Sequence, residues 1–448
     1  MTAQNTTEVP DAKLADRRGP IISRITRRYY VLWWVYAFGG GFVFGVYPLF
    51  LRSRGLSELE TNSVLATYFL VTFLTDVPTG AFADALSRRA AFVLGCSLRT
   101  FSFALYFFAH HYLLFLLAES IDAVGTTFCN GAIDAWAVDS LDHAGFTGLK
   151  DRIFSRVSQL TTAGWLLSAM IGSYVANVNL AWPWLLGSAG YLTSLFVGAA
   201  LMRGGPEKIA ARPALAELIY QVAQRTRGGL RDGFSIRPVL LLALAGAVQV
   251  AAWAPYFMFW PQYFHENLGV AIWMIGWLYC LFSTGRLTGA ELIVRFQPAS
   301  SNRASLLTML ALGTGSMLLG AALTHNLEAT LAMLFAMNMC SGALQPVSQA
   351  WINEHLEARN RATLLSFQST FATFGGAMGL LLCGWISDRH GLLAGWTAAG
   401  VIGLCPAVFY WMLRGEKVRG AAMPESAAET RQAAQTRRAA ADASSVAQ

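Results

Sequence analysis

The chain has 448 residues, of which 55% are hydrophobic and only 13% charged, against roughly 25% charged in soluble domains. That deficit excludes a large soluble domain and points to lipid as the solvent. The net charge of +7 does not mark a nucleic-acid binder, because the basic residues sit in loops and tails beside apolar spans, where the positive-inside rule puts them.

A bilayer core of roughly 30 Å needs about 20 apolar residues per helix, and segments of that length recur along nearly the whole chain. Residues 1–28 form a polar, then basic leader without a cleavable signal. Residues 29–202 read as a bundle of six spans, at 29–51, 63–86, 91–109, 112–139, 157–178 and 182–202. In the second span, Asp76 lies two turns deeper than Asp84. Arg99 of the third span reaches the same depth, roughly 12 Å below the edge. An Asp76–Arg99 pair is expected, with Asp134 as the rival partner. Glu119, Asp122, Thr126, Asn130 and Asp134 follow one another along the fourth span in steps of three and four. They share one slowly winding face, too polar to look at lipid.

Residues 203–237 are the only long connection between spans. Leu215, Leu218, Ile219 and Val222 recur there at helical spacing, which predicts a short helix lying on the membrane surface. Residues 238–413 give a second bundle, with spans at 238–264, 270–295, 304–324, 328–351, 362–386 and 392–413. Gln249, Trp253, Tyr256 and Trp260 run along a seventh span bent by Pro255 and Pro261, a surface suited to an amphipathic organic substrate. Arg286 is the buried charge of the eighth span. Asn338, Ser341, Gln345 and Gln349 of the tenth repeat the spacing of the acidic stripe. Residues 414–448 are expected to be a disordered cytoplasmic tail. The fold class is therefore all-α and polytopic, with about twelve transmembrane helices in two six-helix bundles.

Basic residues crowd the leader, the linker and alternate loops, which places both termini in the cytoplasm. The six cysteines lie in apolar segments and read as small buried hydrophobes; neither a metal site nor a cofactor is expected. Gly131-Ala132-Ile133-Asp134 parallels Gly342-Ala343-Leu344-Gln345, and Asp151-Arg152 with Gln159 parallels Asn360-Arg361 with Gln368. Paired bundles of this kind, rocking about a midplane site, are a recurring plan of secondary transporters.

After the second span stands Gly80-Ala81-Phe82-Ala83-Asp84-Ala85-Leu86-Ser87-Arg88-Arg89. It resembles the loop signature of the major facilitator superfamily, G-x-L-A-D-x-x-G-R-R, with Phe82 for the usual Leu and Ser87 for the usual Gly. Asp76-Val77-Pro78-Thr79-Gly80 and Gly131-Ala132-Ile133-Asp134-Ala135 resemble the E-x-P-T-G and G-A-x-E-A runs of some bacterial members. The resemblance implies that helices 1, 4, 7 and 10 line a central cavity. It also implies that the signature latches the outward-facing form. Physically, Gly80 would allow a close helix approach, and Asp84, Arg88 and Asp139, with Arg89 beside them, would cluster at the cytoplasmic edge. The Gly-Pro signature of drug–proton antiporters is absent from the fifth span, and the second-half copy of the loop signature, Gly285 to Arg295, lacks the Asp and the Arg pair.

Intramembrane charges are functional candidates, and no histidine falls inside a span. The proton carrier is therefore expected among the carboxylates Asp122, Asp76, Glu119 and Asp134, with Asp122 first because it lies nearest mid-depth on the polar face and has no basic neighbour on its own helix. Arg99 and Arg286 are the basic partners. Three readings follow: proton-coupled export of a small organic compound, uptake of a small anion drawn to the two arginines, and a non-transporting membrane receptor or scaffold. The coupling ion is H⁺ or Na⁺, and the expected unit is a monomer in the cell membrane. No zinc-protease, hydrolase-elbow or Walker motif supports an enzyme.

Overall fold

A computed structural model describes residues 11–85, 87–203, 234, 236–296, 302–355 and 358–415. Side chains of residues 11–18, 77–78, 81–85, 355 and 358–366 are not described. The surface helix expected within the linker, most of the tail, and the side chains of Asp84, Asn360 and Arg361 lie outside this set.

The described chain is all-α. The first half holds α1 (Asp11–Gly40), α2 (Tyr47–Ser53), α3 (Glu58–Ala85), α4 (Arg88–Phe108), α5 (Tyr112–Cys129), α6 (Ala132–His143), α7 (Lys150–Val178) and α8 (Trp182–Leu201). The second holds α9 (Arg237–Gln262), α10 (Ile272–Phe296), α11 (Arg303–Leu323), α12 (Leu327–His355), α13 (Ala358–His390), α14 (Leu392–Leu404) and α15 (Pro406–Met412). Nine helical stretches among the described residues are long and apolar enough to cross a membrane. The three long helices outside that set are α3, α7 and α10, of 28, 29 and 25 residues. At 1.5 Å per residue each still exceeds roughly 30 Å. They carry more polar residues because they face the other bundle: α3 packs on α13 and α7 on α10.

Several passages differ from the expected continuous spans. α1 starts at Asp11, well before residue 29. The first passage breaks after Gly40 and resumes as α2. The fourth breaks at Asn130-Gly131, where Gly131 takes φ +78°, a conformation open to glycine at little steric cost. The twelfth breaks before Pro406, whose missing N–H interrupts the ladder. Among the cysteines, Cys96, Cys129 and Cys383 are buried, but Cys405 is exposed.

The halves meet at one end and part at the other. At the sealed end, Tyr174 of α7 stacks on Trp273 of α10 at 5.6 Å, and its hydroxyl accepts from Trp277 Nε1 at 3.0 Å. A Cβ on Gly276 would stand 2.8 Å from Met170 Cα, and one on Gly384 would stand 2.8 Å from Asn62 Cβ. Glu58, buried at this end, pairs with Arg52 at 3.3 Å. At the opposite end Asp76 and Gly80 are exposed. Among the described residues nothing lies within 4 Å of a Cβ on Gly80, so none of them makes the close approach expected there in this conformation. Arg28 donates to the Leu201 carbonyl at 3.5 Å, which puts the start of the first passage beside the start of the linker, on the open side.

Candidate functional site

In the first half, glycines bring α4 and α5 backbone to backbone. A Cβ on Gly95 would stand 2.7 Å from the Gly125 carbonyl oxygen, and one on Gly125 would stand 2.7 Å from Arg99 Cγ. That packing decides the partner of Arg99. Its Nε and Nη2 donate to Asp122 Oδ1 and Oδ2 at 2.8 and 3.1 Å, the two-pronged geometry that makes arginine–carboxylate pairs strong. Nη1 donates to Tyr36 Oη at 2.6 Å, and the guanidinium lies 4.1 Å from the Tyr191 ring centre.

The expected Asp76–Arg99 pair is therefore not formed. Matching depth was not sufficient, because α4 packs on α5 and α8 and barely touches α3, and Asp76 is exposed. Nor does Asp134 take the arginine. The break at Gly131 carries it onto α6, where its Oδ1 accepts from Tyr29 Oη at 2.6 Å and Trp33 Nε1 at 2.8 Å. Asp122, without a basic neighbour on its own helix, has one from the adjacent helix.

Glu119, one turn from Asp122 and 6% exposed, hydrogen-bonds to hydroxyls alone among the described residues. Tyr106 donates to its carboxylate, and Tyr47 lies 3.2 Å from Tyr106, so a relay runs from Tyr47 through Tyr106 to Glu119. Tyr106 is clamped flat on Trp184, with ring centres 3.8 Å apart. Glu119, Asp122, Arg99, Thr126 and Asn130 open together onto a cavity of about 360 Å³ walled by aromatic rings. The tyrosines Tyr36, Tyr47, Tyr106 and Tyr191 escaped the reading of the sequence. The available signal was that a tyrosine inside a span needs a partner for its hydroxyl.

The second half has two adjoining cavities of about 210 and 390 Å³. Gln249 and Ser341 line both, Trp253 and Tyr256 the smaller, Gln345 and Gln349 the larger. Asn338 stands behind Tyr256, donating to its hydroxyl at 3.4 Å and to the Leu334 carbonyl at 2.9 Å. Arg286 lines both cavities. Expected to be buried, its side chain is instead open to the cavity. No hydrogen bond or ion pair reaches it among the described residues. It lies fourteen residues into α10, about 21 Å along the helix, at a depth where an arginine faces a cavity rather than lipid. The halves touch through rings: Phe257 packs on Phe44 at 6.5 Å and stacks on Trp253 at 5.7 Å.

At the open edge, Arg88 Nε lies 3.7 Å from Asp139 Oδ2.

The Major Facilitator Superfamily model matches residues 30–301 and 242–443. The chain belongs to the major facilitator superfamily. Its relatives in the family include the uncharacterized MFS-type transporter YxaM of Bacillus subtilis strain 168, 21% identical over 371 residues, 82% of this chain and 90% of that protein. Multidrug resistance protein MdtH of Cronobacter sakazakii is 24% identical over 387 residues, 84% of this chain and 91% of that protein. The crystal structure of the nucleoside transporter NupG superposes with a TM-score of 0.69 at 13% identity, over 88% of this chain and 100% of that one; at that identity the likeness concerns the fold. As a member of the family the chain is a multi-pass membrane transporter of a small-molecule substrate, not an enzyme.

Proposed function

We propose that the chain is a proton-coupled exporter of a small organic compound, working by alternating access as a monomer in the cell membrane. With both termini in the cytoplasm, the conformation described here is open to the cytoplasm. The observation that carries the coupling is the contrast between two carboxylates one turn apart. Asp122 is neutralised by Arg99 through two hydrogen bonds. Glu119 faces neutral hydroxyls, so its ionised form has no cation of its own, and a proton would remove an uncompensated buried charge. Coupling requires an ion that binds the two states differently. Glu119 meets that requirement if the proton enters when the cavity faces outward and leaves when it faces inward. The resemblance to MdtH, named for multidrug resistance, favours export.

The test uses everted membrane vesicles holding an imposed pH gradient, screened with a library of organic compounds. Substrates should collapse the gradient through the wild-type protein. Glu119→Gln should abolish that response yet keep counterflow of the same compounds. Full gradient collapse in Glu119→Gln would remove Glu119 from the mechanism and return attention to Asp122, Asp76 and Asp134.

A further inference from the structure

We infer that the substrate is an aromatic organic acid whose carboxylate or other acidic group binds Arg286. The inference rests on the transporter reading above and adds a substrate class to the same cavity system.

The two intramembrane arginines are in opposite condition. Arg99 spends its donors on Asp122 and Tyr36 and its face on Tyr191, so it has little left for a ligand. Among the described residues Arg286 has no such partner, and neither cavity it lines contains an aspartate or a glutamate. Its companions are the carboxamides Gln249, Gln345, Gln349 and Gln368 and the hydroxyls of Ser341 and Ser348. These groups hydrogen-bond either way and leave the positive charge in place. An isolated guanidinium amid neutral donors at mid-bilayer depth is a site for an anion supplied from outside the protein.

The backbone beneath it is fixed. Gly342 of α12 lies so close to α10 that a Cβ there would sit 1.9 Å from the Arg286 carbonyl oxygen, and a Cβ on Gly289 would sit 1.8 Å from the Met339 carbonyl oxygen. Two glycine contacts about one turn apart lock α10 onto α12 at the level of Arg286. The guanidinium is thus presented from a rigid wall, which reduces the ordering needed on binding.

The aromatic part of the inference comes from the neighbouring wall. Trp253 lines the same cavity as Arg286, whereas Phe257 lines the acidic cavity of the first half. The two rings stack at 24°, forming a flat apolar platform that runs from one cavity to the other. A ligand with its acidic group on Arg286 would lay a ring against this platform. Its far end would then approach the cavity holding Glu119.

Binding can be measured on the purified full-length chain with matched pairs of small aromatic acids and their neutral amides, benzoate with benzamide and naphthoate with naphthamide. Thermal shift and tryptophan quenching are the readouts. The acids should bind the wild type and the amides at least tenfold more weakly. Arg286→Gln should erase the preference for the acid, and Arg286→Lys should keep part of it. Both variants should be as heat-stable as the wild type, because the replaced charge has no partner to lose. Equal binding of acid and amide, no binding of any acid, or unchanged acid binding by Arg286→Gln would each overturn the inference. Its failure is separable from that of proton coupling, because Glu119→Gln should still bind the acids. Acid binding that disappears with Arg286, together with flux indifferent to a pH gradient, would sustain the inference and sink the coupling.

Discussion

The two halves solve the problem of charge in a membrane in opposite ways. In the first half, each cavity charge has an internal answer: Asp122 answers Arg99, and tyrosine hydroxyls answer Glu119. In the second half, Arg286 stands among carboxamides with no acid among the described residues of the cavity wall. The same fold, nearly repeated, thus holds one bundle whose ionisable groups close a circuit among themselves and one whose charge is left open. In the first, Glu119 is the group left to take up a proton, since Asp122 is already paired. An open charge waits for a ligand.

The largest effect is expected where the internal answer is removed. Asp122→Asn leaves Arg99 as a buried guanidinium without a carboxylate, and breaking a buried pair by one partner costs about 3–5 kcal/mol. The variant should unfold at a markedly lower temperature in detergent, or fail to accumulate in the membrane. The double variant Asp122→Asn with Arg99→Gln should recover most of the loss, since no lone charge remains. A normal melting temperature in the single variant would mean that the pair contributes little. By the contrast between the halves, Arg286→Gln should show no comparable loss.

The second effect concerns the wall that presents Arg286. Gly342→Ala would put its Cβ 1.9 Å from the Arg286 carbonyl oxygen. Backbone cannot swing aside as a side chain does, so α10 and α12 must separate, at a cost of about 1–3 kcal/mol. The control is Gly313→Ala on α11, whose nearest neighbour would be the Cys340 sulfur at 3.1 Å, a contact that yields by tenths of an ångström. Thermal unfolding should rank Gly342→Ala well below Gly313→Ala. Binding of aromatic acids should weaken in the first and survive in the second. Equal behaviour of the two would show that the tight contact does not position the arginine.

These particulars also show what was legible in the sequence. The stripe Glu119, Asp122, Thr126 and Asn130 was readable from its period, and all four residues line one cavity, because a helical period survives folding. Asp134 belonged to the same period but not to the cavity, since the positive φ at Gly131 ends the helix first. The Asp76–Arg99 pairing failed for a related reason: depth can be counted along a helix, but the fold decides which helix packs against it, and α4 packs on α5 rather than on α3. The information was present in Gly95 and Gly125, whose missing side chains let α4 and α5 touch at Arg99. Small residues record a close approach without naming the partner, and only the fold supplies it. The tyrosine partners were out of reach for the same reason: Tyr36 and Arg99 are 63 residues apart in the chain.

The smallest effect is at the open edge, where the halves differ once more. The first half retains the loop signature, and Arg88 faces Asp139 at 3.7 Å with both side chains about one-third exposed. In the corresponding stretch of the second half, Arg295 pairs with Glu291 of its own helix at 3.0 Å. Exposed pairs of either kind contribute under about 1 kcal/mol, so neither Arg88→Ala nor Arg295→Ala should move the melting temperature appreciably. Their effects on conformation should separate. Arg295→Ala disturbs one helix surface and should leave the balance of states alone. Arg88→Ala frees Asp139, which lies on α6, a different helix from Arg88 on α4, and so loosens two elements at the edge that must close. The expected outcome is a shift toward the open form described here, at most about fivefold in population for an energy of that size. Double electron–electron resonance between spin labels at the open ends of α3 and α13 would read it as a larger share of the long distance. An unchanged distribution in Arg88→Ala would reduce the signature to an anchor for a tight loop, and a shift in Arg295→Ala would erase the asymmetry between the two edges.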